Sequence, residues 1–236
     1  LKGIGSRDGP ADGGMPGTAA VGAEIDLSAS DDITIARIEM KQAPNIGMAI
    51  GTNCLRVQIR DSVLTGPSQL TGQAAYGIWG DSNATDVLIT GNRITNWTVG
   101  GVFFYGTAWD VSHNYLANNH RQTVPTGGGQ VVVKQGGGLG RARIVQNTIT
   151  TPATAVTSGI EVDGAINGLA LLGNEIRGQW YGVILQTSTI KNVLVVGNLL
   201  MGNQTNFYAV PGVTGTVMTG NVLSAGDPLP PPAPPR

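Results

Sequence analysis

The sequence predicts an all-β protein whose chain winds into about eight stacked coils of three short strands each. Three observations predict it. First, a corner position recurs eight times, held by Ile38, Ser62, Asn92, Asn114, Asn147, Asn174, Asn198 and Asn221, at intervals of 24, 30, 22, 33, 27, 24 and 23 residues. An apolar residue follows each corner by two places (Met40, Leu64, Ile94, Leu116, Ile149, Ile176, Leu200, Leu223), and another precedes it by three (Ile35, Ile59, Ile89, Val111, Ile144, Leu171, Val195, Met218). Self-similarity at such a spacing marks a repeat architecture. Second, apolar residues within a copy alternate with period two, as in ITIARIEM and VLITGNRI, the pattern of strands and not of helices. Third, Gly supplies 36 of 236 residues, while aromatic residues make up 5% and charged residues 12%. Gly is about twice its usual share and charge about half. The core is therefore aliphatic and the turns are frequent.

Taken in order, residues 1–22 read as a short strand at Leu1–Ile4 followed by a long loop rich in Gly, Asp and Pro. Ile25 and Leu27 open the first clear coil, and coils continue over residues 23–224. The clearest copy is Tyr76–Trp97, with strands at Ile78–Gly80, Val87–Ile89 and around Ile94. Gly47–Leu64 overlays Gly77–Ile94 without a gap. The loop between the corner strand and the next Gly-led strand is short at Arg177–Tyr181, long at Thr65–Tyr76 and longest at Ala117–Gly129. Repeat proteins gather such insertions on one face, often the binding face. Residues 225–236 read as a Pro-rich tail or linker, since proline cannot donate to a strand ladder.

A copy of about 25 residues is too short for a four-stranded propeller blade. Three short strands per copy fit a coiled ribbon whose turns stack about 4.8 Å apart and bury one another's Val, Ile and Leu columns. Asn at the corner suits this in two ways: it tolerates left-handed backbone, and its amide can bond to the amides above and below it. The pattern V-x-I-x-x-N-x-I followed by G-I/V-x and an apolar residue resembles the right-handed parallel β-helix (pectate-lyase-like) superfamily over roughly residues 23–224. The resemblance implies a single-stranded right-handed parallel β-helix with an Asn corner ladder. It implies too that the Gly-led sheet and its loops form a polysaccharide cleft.

Charge and cysteine narrow the classes. A net charge of -1 supplies no basic field for nucleic acid. Cys54 is alone, so no internal disulfide forms. No apolar run is long enough to span a membrane. Residues 1–20 carry no signal-peptide core, and an opening without Met reads as a mature or excised piece. The expected location is extracellular, at a cell surface or on a virion.

Aligning YGIWGDS, GGVFFYG, GQVVVKQ, SGIEVDG and YGVILQT points Ile78, Val102, Val131, Ile160 and Val183 inward, together with Gly80, Phe104, Val133, Val162 and Leu185. One outward column is Trp79, Phe103, Val132, Glu161 and Ile184; the next is Asp81, Tyr105, Lys134, Asp163 and Gln186. Read as a solvent-facing strip, these columns place substrate-binding candidates at Trp79, Asp81, Phe103, Tyr105 and Gln186. His120 and Arg121 join them from the longest loop. Catalytic candidates are Lys134, Glu161 and Asp163. Glu161 and Asp163, two apart on one strand, form a carboxyl pair suited to glycoside hydrolysis. Lys134, one coil away, suits the base or charge stabiliser of a β-elimination. Ordinary solvation of a sheet face explains the same charges, and a loop histidine is more often simply solvated.

Two His and one Cys cannot close a zinc site. Outward acids can hold Ca²⁺, yet no D-x-D-x-D loop occurs. The Asp-Asp, Gly-His-Gly and Arg-x-Lys set of polygalacturonase-like hydrolases is absent, as is the Asp-Pro-His-Asp motif of alginate epimerases. The expectation is a carbohydrate-active β-helix that binds an extended polysaccharide, with cleavage of lyase or hydrolase type. Its rival is a non-catalytic structural or adhesive rod, such as part of a phage tail spike or a bacterial surface protein. An enzyme of this kind is expected as a monomer, a tail-spike-like rod as a trimer.

Overall fold

A computed structural model describes residues 23–43, 45–67, 75–105, 107–121, 128–134, 141–151 and 157–224. The strand expected at Leu1–Ile4, the loop to residue 22 and the tail 225–236 lie outside these residues. The described chain has strands and turns and no helix. It is a right-handed parallel β-helix of eight coils, with three parallel sheets of eight strands each. The first sheet begins with Ala23–Leu27, Ile46–Ile50 and Tyr76–Gly80 and ends with Thr205–Ala209. The second runs from Thr34–Ala36 to Val217–Thr219, and the third from Glu39–Lys41 to Val222–Ser224. Every neighbour in a sheet is the equivalent strand of the next coil.

The register follows the repeat. Met48 pairs with Ile78, Val57 with Val87 and Leu64 with Ile94. The inward columns are buried together in one continuous core. Three buried aromatics, Trp97, Phe104 and Trp109, interrupt the aliphatic filling. Trp109 stacks on Phe104 with centroids 4.7 Å apart, and it occupies the space beside Gly80, where an added Cβ would lie 2.0 Å from the indole.

The Asn ladder forms at the turn between the second and third sheets. The backbone N–H and Nδ2 of Asn92 both donate to Asn114 Oδ1, at 2.9 and 3.0 Å. The same pair of bonds recurs from Asn114 to Asn147, Asn147 to Asn174, Asn174 to Asn198 and Asn198 to Asn221. Each Nδ2 also donates to a carbonyl of the preceding coil, as Asn147 does to Val111. Ser62 extends the ladder with a shorter side chain: its N–H donates to Asn92 Oδ1, and its hydroxyl accepts from the Ile38 N–H.

One expectation about this corner is corrected. The asparagines do not take the left-handed backbone. The residue before each of the eight corner positions does: Arg37, Asp61, Gly91, His113, Gln146, Gly173, Gly197 and Gly220 all have φ between 50° and 66°. Moving the left-handed step one residue earlier leaves the amide free to turn inward and join the ladder.

Candidate functional site

The candidate residues sit where the first-sheet strands leave for the second sheet. Backbone bonds continue the ladder one residue past the strand ends: Asp81 N–H donates to Ile50, Tyr105 to Gly80, Lys134 to Phe104, Asp163 to Val133 and Gln186 to Val162. These five side chains therefore form a row across five coils, and all five are half-buried. At about 4.8 Å per coil the row spans roughly 19 Å. Lys134 is the cation at its centre. Its ammonium is bonded to Asp163 and lies 3.9 Å from Glu161 Oε1. Asp81 accepts from the Thr52 hydroxyl at 3.1 Å and from Ser82 at 2.9 Å. Burial, with Asp163 and Asp81 adding to it, holds the Tyr105 hydroxyl above its usual pKa.

The adjacent column differs from the expectation. Trp79, Phe103, Val132, Glu161 and Ile184 point away from the helical core, yet none is more than 7% exposed. Trp79, Phe103 and Val132 join Ala23, Ile46 and Ala49 in a second apolar cluster, with Tyr76 and Tyr105 packed against it. The rings meet edge to face: Tyr76 to Phe103 at 5.0 Å, Phe103 to Tyr105 at 5.5 Å and Trp79 to Tyr105 at 6.5 Å. Burial pushes the Tyr76 hydroxyl up to about 12. Alternation told which way these side chains point, but not whether water reaches them. Trp79 and Phe103 are thus a packed support for Tyr105, closed to a sugar face. Glu161 lies fully buried beneath the Lys134–Asp163 pair.

His120 and Arg121 are not brought to this row. Both precede the first-sheet strand Gly129–Val133, whereas Lys134 follows it, so the two groups are separated by about 17 Å of strand. Arg121 donates to the Pro67 carbonyl. His120 is 1% exposed, not solvated, and among the described residues neither ring nitrogen has a hydrogen-bond partner. Burial lowers its pKa to about 4. The central residues of the loops Thr65–Tyr76 and Ala117–Gly129 lie outside the described residues.

A second polar ladder, at the turn between the third and first sheets, escaped the sequence reading. Asn119 Oδ1 accepts from the Trp97 N–H, and Asn203 Oδ1 from the Gln179 N–H. The signal was a spacing: Asn119 and Asn203 each follow a corner Asn by five residues. Five residues after Asn147 the sequence has Pro152, and an amide from the first sheet serves the ladder. Gln130, fully buried, accepts from Asn119 N–H and Nδ2 and donates to Thr151 Oγ1 at 3.0 Å. Gln130 stands where neighbouring coils have Gly101 and Gly159.

Among the described residues, no group of three or more His, Cys, Asp or Glu side chains is arranged to hold a metal ion. The ammonium of Lys134 lies against both Glu161 and Asp163. No helix of the described residues is long and apolar enough to cross a membrane.

No protein-family model matches the chain, and no curated protein matches it. Among solved structures it is similar to the crystal structure of the Dettilon tailspike protein, at 15% identity and a TM-score of 0.31, covering 84% of this chain. The match spans 59% of that structure's chain, less than two thirds of its length.

Proposed function

We propose that the protein binds an extended polysaccharide along the coil axis, over Asp81, Tyr105, Lys134, Asp163 and Gln186. One observation carries this reading: five half-buried polar side chains stand in register on successive coils, with a supported aromatic ring among them. A polymer with a short repeat can meet such a ladder at several coils at once. The buried column of Trp79 and Phe103 supports the row by fixing Tyr105.

Affinity electrophoresis in gels cast with neutral or acidic polysaccharides tests this. Retardation of the parent, reduced in Tyr105→Ala and in Asp81→Ala at unchanged melting temperature, is the expected result. Equal mobility in every gel refutes it.

The contact of Lys134 with both Glu161 and Asp163 favours adding cleavage to this reading. An ammonium seated on Asp163 keeps N–H donors to offer to developing negative charge, the role of a charge stabiliser. Asp163 is the carboxylate with access to solvent; Glu161 acts through Lys134. If the protein cleaves glycans, reducing ends appear with the parent and fall at least about a hundredfold in Asp163→Asn. Unsaturated products that absorb in the ultraviolet assign a lyase, and reducing ends without them assign a hydrolase. Turnover that survives in Asp163→Asn removes this residue from catalysis.

A structural rod is the second reading. It is favoured by the apolar end of the described coils, where Val217, Val222 and Leu223 are more than half exposed. Absence of glycan binding together with trimers in light scattering supports the rod.

A further inference from the structure

The outward column that is closed over most of its length opens at its last member. Ile184 pairs in register with Tyr208 on the next coil. Exposure along the column is 7% at Trp79, 3% at Phe103 and zero at Val132 and Glu161; it is 3% at Ile184, then 42% at Tyr208. Tyr208 is not alone there. Tyr181, nearly buried, sets its ring 5.7 Å away at 38° and limits the directions in which Tyr208 can turn. One coil earlier on the same face stands Gln186. Its Nε2 is buried and has no hydrogen-bond partner among the described residues. Strand rise and coil spacing put Gln186 about 8 Å from Tyr208 across the diagonal, room for one pyranose ring.

The charge pattern selects the ligand. From Asn192 to Gly226 the chain carries no Lys, Arg, Asp or Glu. The near charges on this face are Asp163 and Lys134, already engaged with each other. A uronate placed here would meet Asp163 with no free cation to receive it, and like charges at an interface are unfavourable. An uncharged sugar meets no such penalty. Its C–H face covers an exposed ring, and its hydroxyls accept from an amide. The terminal torsion of Gln is soft, so the unpartnered N–H can turn toward a hydroxyl. An unmet buried donor is costly, so satisfying it favours the bound state.

We propose that Tyr208, backed by Tyr181 and flanked by Gln186, is a stacking subsite for one uncharged sugar residue at the end of the polar row. The proposal rests on the polysaccharide-binding reading above. It adds a contact one coil beyond the row, from the adjacent column, where the row itself continues as Val210, and it makes the ligand a neutral polysaccharide.

Isothermal calorimetry on the full chain tests it, with cello-, malto- and mannan-derived oligosaccharides as neutral probes and oligogalacturonate as the acidic one. The parent binds at least one neutral probe. Tyr208→Ala and Tyr208→Leu weaken that binding about tenfold, Tyr208→Phe keeps it, and Gln186→Ala weakens it about fivefold. Tyr208→Leu keeps apolar volume without a ring, so its loss at an unchanged melting temperature separates stacking from packing. Parent-like binding by Tyr208→Leu overturns the subsite and leaves the polysaccharide reading standing. Preference for oligogalacturonate over every neutral probe overturns the ligand class. Binding to no probe, with no retardation in any polysaccharide gel, overturns both readings.

Discussion

At the scale of single residues, the protein is held by positions that accept an unusual backbone or an unusual burial. Gln146 is an exposed residue held at a φ of 50° because the turn demands it, where Gly173 and Gly197 meet the same demand without a Cβ penalty. Left-handed backbone costs a side-chain-bearing residue about 1 kcal/mol. Gln146→Gly is therefore expected to stabilise the fold by about that amount, seen as a higher urea midpoint at constant slope.

His120 gives a prediction in pH. Its folded pKa, near 4, lies below the ordinary value of 6.5, so the unfolded state binds the extra proton between those limits. The stabilising contribution of neutral His120 is present above about pH 6.5 and lost as pH falls toward 4. A shift of this size corresponds to roughly 3 kcal/mol. Comparing urea unfolding of the parent and His120→Asn at pH 7 and pH 4.5 checks it. Asn accepts the positive φ of this position, and the variant loses less stability on acidification than the parent.

At the scale of elements, the two ladders explain why the coils stay in step. In mid-ladder, Asn147 accepts two bonds from Asn114 and donates to Asn174 and Val111. Removing that amide leaves buried groups without partners, each worth about 1–3 kcal/mol. Asn147→Ala is expected to cost about 3 kcal/mol or more in chemical denaturation. Asn221→Ala, at the open end of the ladder, costs less because fewer buried groups depend on it. The Gly-led strands impose a different constraint. A Cβ at Gly159 would lie 2.5 Å from both the Gly182 carbonyl oxygen and Ile176 Cγ2. Gly159→Ala therefore forces adjacent coils apart, with an expected loss of a few kcal/mol.

At the scale of the molecule, the described β-helix is asymmetric end to end. In the first coil Leu27 and Ile35 are 1% and 8% exposed, while in the last Met218 and Leu223 are 39% and 51% exposed. Natural sheet edges are usually guarded by charge, and the last described coil has none. Leu223→Lys is expected to lower any concentration-dependent self-association in light scattering while leaving the melting temperature within about a degree, since the side chain is already half in solvent.

Much of this was legible in the chain. Coil number, register and the inward columns follow from a spacing that recurs eight times. Stacking makes equivalent residues neighbours, so a one-dimensional repeat reports a three-dimensional contact. Asn at the corner was legible for the same reason, although its left-handed partner was placed one residue late. The polar row was legible as residues on one side of a strand.

What the sequence by itself determined is the periodic part: strands, coils, the Asn ladder and the direction each side chain leaves the backbone. Only the tertiary structure decided which outward residues meet water. Trp79, Phe103 and Glu161 are buried, Tyr208 is open, and His120 is sealed far from Lys134. Alternation is a local property of backbone geometry, whereas exposure depends on what the rest of the chain lays over a face, which no spacing along one strand records.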